Sequence, residues 1–261
     1  KKKRGRTMFN ESLKENYTNY YINHYLTISI LLIILIIFSK IAPKIKNSKY
    51  GDKIFRYGIS ILLVLSEVVF HIWRYKTNNY NIHEMLPFTG FCSMLHVLTI
   101  IYLVTNNKKL ATASLYFSAI GPTLALMFVN MNPFYAFPHF RFFHYYLAHF
   151  IYVLASLYYY FTKQTNVNKK DFLLTLKYTL IYTVFVYIYN IVFKTNGFFL
   201  MSSPVMAINK IFIKFKFIYT ILWLGFILSI FYLVHLLLIF ISNKALKKFE
   251  YIQNDKIYQR M

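Results

Sequence analysis

The sequence carries one cysteine, Cys92, so no internal disulfide can staple the fold; packing and hydrogen bonds must hold it. Acidic residues are scarce too: 8 Asp and Glu stand against 30 Lys and Arg, a formal charge of +22. Such a charge would point to nucleic acid if it formed a stripe on a soluble fold. Here the basic residues fall between long apolar runs, the pattern of positive charge retained on the cytoplasmic side of a membrane, and nucleic acid is not an expected partner. Phosphate-binding loops, dinucleotide fingerprints and serine elbows are absent. No cofactor is expected. Charged residues make up only 15% of the chain, against roughly 25% in ordinary soluble domains, while hydrophobic residues reach 57%.

What is present is a series of apolar segments, at 21–39, 54–73, 86–104, 110–129, 142–161, 172–193 and 217–241. Each is long enough to span a hydrocarbon core of about 30 Å. The expectation is an all-α fold, a polytopic transmembrane bundle of about seven helices. Residues 1–20 form a basic and polar N-terminal segment, 21–241 a single membrane domain, and 242–261 a basic C-terminal tail. The leader at 1–6 precedes Met8, no small-residue cleavage site follows the first apolar run, and that run reads as a retained span. No internal repeat of the inverted-transporter kind is visible. Alternating the spans places 17 Lys and Arg on one side and 8 on the other, with 5 more in the leader. The richer side is cytoplasmic by the positive-inside rule, which puts the N-terminus outside the cell membrane and the C-terminus in the cytoplasm.

Ionisable groups inside spans are costly, so each is a candidate for function. Glu67 is the only acid within an apolar run, and His71 follows one helical turn later on the same face. Cys92 and His96 repeat that spacing at the start of the third segment. Arg141, Tyr145 and His149 are four apart in the fifth, with His144 alongside; Asn190 closes the sixth and Asn196 with Gly197 follows it. The alternation of spans gathers all of these in one half of the membrane, as a polar cluster near the outer leaflet. Each also has a plain structural explanation: a membrane cysteine is usually a packing residue, Arg141 can anchor at the interface, and His235 stands alone in the last segment. No metal site is expected, because the five-residue spacing of His139, His144 and His149 turns successive rings about 140° apart on a helix.

The stretch from Glu67 to Pro204 resembles the YwaF-type integral membrane proteins, whose animal branch is transmembrane protein 164. The likeness rests on Glu67 with Trp73, Leu86-Pro87 leading to Cys92-Ser93, Gly121, the run Phe137-Pro138-His139-Phe140-Arg141-Phe142-Phe143 with His149, and Asn190 followed by Asn196 and Pro204. The resemblance implies a polytopic helical bundle and a cysteine-dependent acyltransferase or lipid hydrolase acting on membrane lipids. Carried over, Cys92 is the acyl-accepting nucleophile, His149 the general base, and Arg141 the group that binds phosphate or steadies an oxyanion. One departure stands out: relatives read Pro-Leu-His-Leu-Cys where this chain has Pro87-Phe88-Thr89-Gly90-Phe91-Cys92, without the histidine. His96 or His149 must then activate the thiol. Two other classes remain open, a permease or solute-binding membrane subunit that would use the polar cluster as a vestibule, and a non-catalytic assembly protein in which the cluster is interhelical glue.

Overall fold

The computed structural model describes residue 9 and residues 17–77, 82–86, 90–127, 137–165, 167–203, 206–212 and 214–258. The basic leader, Met8, Lys14, Pro87, Phe88, Thr89, Val129, Pro204 and Arg260 lie outside the described residues. The described residues are helical, without strands. In chain order the helices are α1 (Tyr17–Asn47), α2 (Gly51–Lys76), α3 (Ile82–Met85), α4 (Phe91–Thr105), α5 (Lys108–Met127), α6 (Phe140–Phe161), α7 (Lys169–Phe193), a 3₁₀ turn (Gly197–Phe199), α8 (Met206–Phe212) and α9 (Lys216–Tyr258).

Local chemistry sets the boundaries. Asn106 closes α4 in a left-handed conformation (φ 54°), and the next side chain, Asn107, accepts from the Lys109 and Leu110 amides to start α5. Asn168 accepts from the Asp171 amide at the head of α7, and the His139 ring accepts from the Arg141 amide at the head of α6. Only three residues join α1 to α2, which makes them antiparallel neighbours.

At the centre α5 packs along α6, and both helices bury small residues, Ala111, Ala113, Ser114 and Ser118 on one and Ala148, Ala155 and Ser156 on the other. Without a hydrophobic force between helices in lipid, such close backbone approach is what holds a bundle. α4 sits against α2, α5 and α6, while α7 and α9 flank α5. The outward faces of α1, α7 and α9 carry exposed Ile, Leu, Val and Phe, among them Ile33, Ile36, Val184, Val192, Leu233 and Phe240. Those faces suit a hydrocarbon solvent.

Among the described residues five helices are long and apolar enough to cross a membrane: Tyr21–Asn47, Gly51–Lys76, Lys108–Met127, Lys169–Phe193 and Lys216–Ser242. The seven expected segments differ from these at two places. α4 has 15 residues, about 22 Å at 1.5 Å per residue, short of a full hydrocarbon core. α6 has 22 residues, but Arg141, His144, His149 and its tyrosines keep its hydropathy down. Both nevertheless run lengthwise. At one end Arg56 Nη1 donates to the Leu103 carbonyl (2.6 Å) and the Tyr158 hydroxyl donates to Asp52 Oδ1 (2.8 Å), joining the start of α2 to the ends of α4 and α6. At the other end the same three helices meet again around Glu67, His96 and Arg141.

Candidate functional site

The second meeting point is built from the end of α2 and the starts of α4 and α6. On α2, Glu67 and His71 share a face because they are one turn apart, and His71 Nε2 lies 3.3 Å from Glu67 Oε1. The other carboxylate oxygen lies 3.8 Å from Nδ1 of His96 on α4. That same Nδ1 is 2.9 Å from the Tyr152 hydroxyl of α6, so one buried histidine touches both neighbouring helices. Glu67 is therefore shared by two histidines.

The guanidinium of Arg141 completes the upper layer. Its carbon stands 4.7 Å above the Phe70 ring and 5.6 Å from the Tyr145 ring. Its Nη1 donates to Nδ1 of His144 at 2.9 Å, and the His144 ring stacks on Phe70 at 4.3 Å. Guanidinium nitrogens can only donate, so His144 Nδ1 accepts and the proton of the neutral ring is on Nε2. Among the described residues that Nε2 is buried without a hydrogen-bond partner, as is Nε2 of His96.

His149 is fixed in the opposite sense. Its Nδ1 lies 2.7 Å from the Tyr145 carbonyl, which can only accept, so Nδ1 carries the proton and the lone pair of the neutral ring sits on Nε2. The ring packs 4.4 Å from that of Tyr145 and 5.9 Å from that of Tyr152. Tyr152 thus touches His96 on one side and His149 on the other.

Cys92 is the second residue of α4, half-buried, one turn before His96. It lies within electrostatic range of Arg141, Tyr152 and Tyr182. Among the described residues no hydrogen bond joins its sulfur to His96 or His149. Its position depends on Phe91, whose ring stacks on Phe198 (5.1 Å, 6°) and lies against Gly121, where an added methyl would run into the ring.

Asn190 and Asn196 are brought to a different place. The Asn190 amide clasps Gly197, donating to its carbonyl (2.9 Å) and accepting from its amide (2.7 Å), and also accepts from the Thr195 hydroxyl (2.8 Å). Asn196 accepts from the Met201 and Ser202 amides, both at 3.0 Å. Together they hold the turn that presents Phe198 to Phe91. These two are supports of a loop that reaches the cysteine's helix, and among the described residues no hydrogen bond joins them to a histidine.

The sequence reading named Tyr145 beside Arg141 and His149 but missed Phe70, Tyr152 and Phe198. Phe70 carried a usable signal, since it follows Glu67 by three residues on the same helix. The reading also missed the knot at the far end, where Asp52 accepts from Lys46 (2.9 Å), Arg56 (3.1 Å) and Tyr158 (2.8 Å). His235, which looked isolated, stacks on Phe172 at 4.3 Å and is 2.9 Å from the Tyr116 hydroxyl. Among the described residues no three His, Cys, Asp or Glu side chains converge as metal ligands.

Lipid-facing helices around a buried polar cluster define a membrane-spanning helical protein. The model of the TMEM164 family matches residues 19–239, and the chain belongs to that family. No curated protein and no solved structure matches it.

Proposed function

We propose that the protein is a membrane-embedded acyl-transfer enzyme acting on a lipid ester, with Cys92 as nucleophile and His149 as general base. The observation that carries this reading is the 2.7 Å hydrogen bond from His149 Nδ1 to the Tyr145 carbonyl, which leaves a basic lone pair on Nε2 at the end of the bundle that holds the half-buried thiol. In the reaction, Nε2 takes the thiol proton as sulfur attacks the ester carbonyl. The S–C bond forms, the ester C–O bond breaks, and the lysolipid oxygen leaves with the proton from His149. A hydroxyl of a second lysolipid, or water, then attacks the thioester; His149 takes its proton and returns it to sulfur. In this scheme Arg141, within electrostatic range of Cys92, stabilises the negative charge that develops on the carbonyl oxygen. The histidine that relatives carry before the cysteine has no counterpart here, and His149 fills its role in this scheme.

The reading places the chain in the YwaF-type branch of the family and includes seven crossings. α6 needs no apolar surface of its own, because its polar residues point into the bundle. The membrane domain then runs over 21–241, and the positive-inside rule puts the cluster and the N-terminus outside the cell membrane and the basic tail in the cytoplasm.

A lipid-like thiol-reactive probe tests the chemistry. With one cysteine in the chain, Cys92→Ala defines background. Native protein should label fast, and His149→Ala about 10²-fold more slowly, the low end of what a general base contributes. Equal labelling of native and His149→Ala proteins would overturn the pair and leave the cluster as interhelical glue.

A further inference from the structure

A cavity of about 320 Å³ lies away from the histidines, where the chain enters α9. Its walls include Lys210 of α8, Lys216 at the first turn of α9, Ser202 from the preceding loop, and the rings of Phe212 and Tyr219. Its frame is rigid. Asn209 pairs with the Ser203 backbone in both directions, at 2.7 Å each, and the Tyr219 hydroxyl donates to the Phe199 carbonyl at 2.8 Å.

What the cavity has left to offer is donors. The Ser202 oxygen accepts from Asn196 at 2.8 Å, which keeps its own proton available. Neither lysine forms an ion pair among the described residues, and no Asp or Glu occurs in the sequence between Asp171 and Glu250. Among the described residues no carboxylate compensates the positive charge at this place. The start of α9 adds its unpaired amides with the same sign.

The surroundings are apolar. Ile211, Phe215, Phe217 and Ile218 are exposed on either side of the lysines, and the membrane-crossing stretch of α9 begins at Lys216 itself. Lysines alternating with exposed large hydrophobics at the head of a span are the mark of a headgroup-level surface. A free solute has no use for those flanks. We propose that this cavity binds the phosphate headgroup of an anionic phospholipid, held by Lys210, Lys216 and the Ser202 hydroxyl, with the acyl chains lying along the exposed face of α9.

The loop that supplies Ser202 is the one whose Phe198 stacks on Phe91, beside Cys92. The bound lipid therefore sits against the same loop that positions the start of α4. The inference holds whatever chemistry Cys92 performs.

Native mass spectrometry of the full chain in detergent, titrated with phosphatidylglycerol, phosphatidylcholine or glycerol phosphate, tests it. Phosphatidylglycerol should bind at least about tenfold more tightly than phosphatidylcholine, and glycerol phosphate should not compete at equal concentration. The pair Lys210→Gln with Lys216→Gln should lose about tenfold in phosphatidylglycerol affinity, and Lys210→Arg with Lys216→Arg should retain it. Lys194→Gln with Lys214→Gln removes the same charge outside the cavity and should change affinity less than about twofold. Equal loss in the two glutamine pairs would reduce the effect to diffuse attraction and overturn the site. Equal affinity for glycerol phosphate would make it a free-phosphate site, and equal binding of the two lipids on the native chain would overturn it without any variant. Thiol labelling of Cys92 is read separately, so failure here and failure of the acyl-transfer reading are distinguishable.

Discussion

Single side chains at the two ends of the bundle do different work. At the far end the Arg56 guanidinium is buried, donating to Asp52 and to the Leu103 carbonyl. Asp52→Ala leaves that charge without its carboxylate, so thermal melting in detergent should show a loss of about 3 kcal/mol, the size seen when one partner of a buried pair is removed. Probe labelling of Cys92, at the opposite end, should be unchanged in the same variant. Near Cys92, Glu67→Gln removes the charge that His71 and His96 share and should destabilise by about 1 to 2 kcal/mol in the same assay. Pairs such as Glu67 with His71, or Cys92 with His96, are legible from the sequence because four-residue spacing fixes a shared helix face under any tertiary fold. Tyr152 is not. Among 25 tyrosines, no spacing rule distinguishes the one that folding places between two histidines.

Elements constrain the cysteine from outside its own helix. After α7 the chain turns through Lys194, Phe198 and Phe199 with φ of 53°, 58° and 54°, a left-handed conformation that side-chain-bearing residues rarely hold. Hydrogen bonds hold the turn there: Trp223 donates to the Phe198 carbonyl at 3.0 Å, and Asn190 clasps Gly197. Asn190→Ala deletes that clasp and leaves the half-buried Gly197 amide without its partner, so it should lower stability by about 1 to 2 kcal/mol by thermal melting, and it should also change the rate at which Cys92 labels, because Phe198 no longer pins Phe91. Gly121→Ala should alter the same labelling rate by a different route, forcing the Phe91 ring aside at a cost of about 1 to 3 kcal/mol. The loop itself was legible only as two asparagines and a glycine. Its backbone conformation follows from packing between α7 and α9, which no local propensity encodes.

At the scale of the molecule, hydropathy alone separates five crossing helices from α4 and α6, and the arrangement of the bundle supplies the reason. α6 is packed on α1, α2, α4 and α5, so it has no need of an apolar exterior and carries the polar residues of the site instead. The sequence shows seven apolar runs, while among the described residues five helices are long and apolar enough to cross; that the other two are short or polar follows from the tertiary roles they fill. α4 bridges the two ends of the bundle, with Cys92 at one and the Asn106 side chain, which accepts from the Tyr159 hydroxyl at 2.9 Å, at the other. If it crosses, residue 108 lies on the same side as residue 48; if it does not, residue 108 joins the opposite side. In a Cys92→Ser background, Ser48→Cys, Lys108→Cys and Lys214→Cys each add one exposed thiol. A membrane-impermeant maleimide applied to intact cells should label Lys214→Cys alone, and after permeabilisation all three. Labelling of Lys108→Cys together with Lys214→Cys would reduce the bundle to five crossings, with α4 and α6 held inside it, and labelling of Ser48→Cys together with Lys108→Cys, without Lys214→Cys, would invert the orientation that the lysine-rich connectors impose.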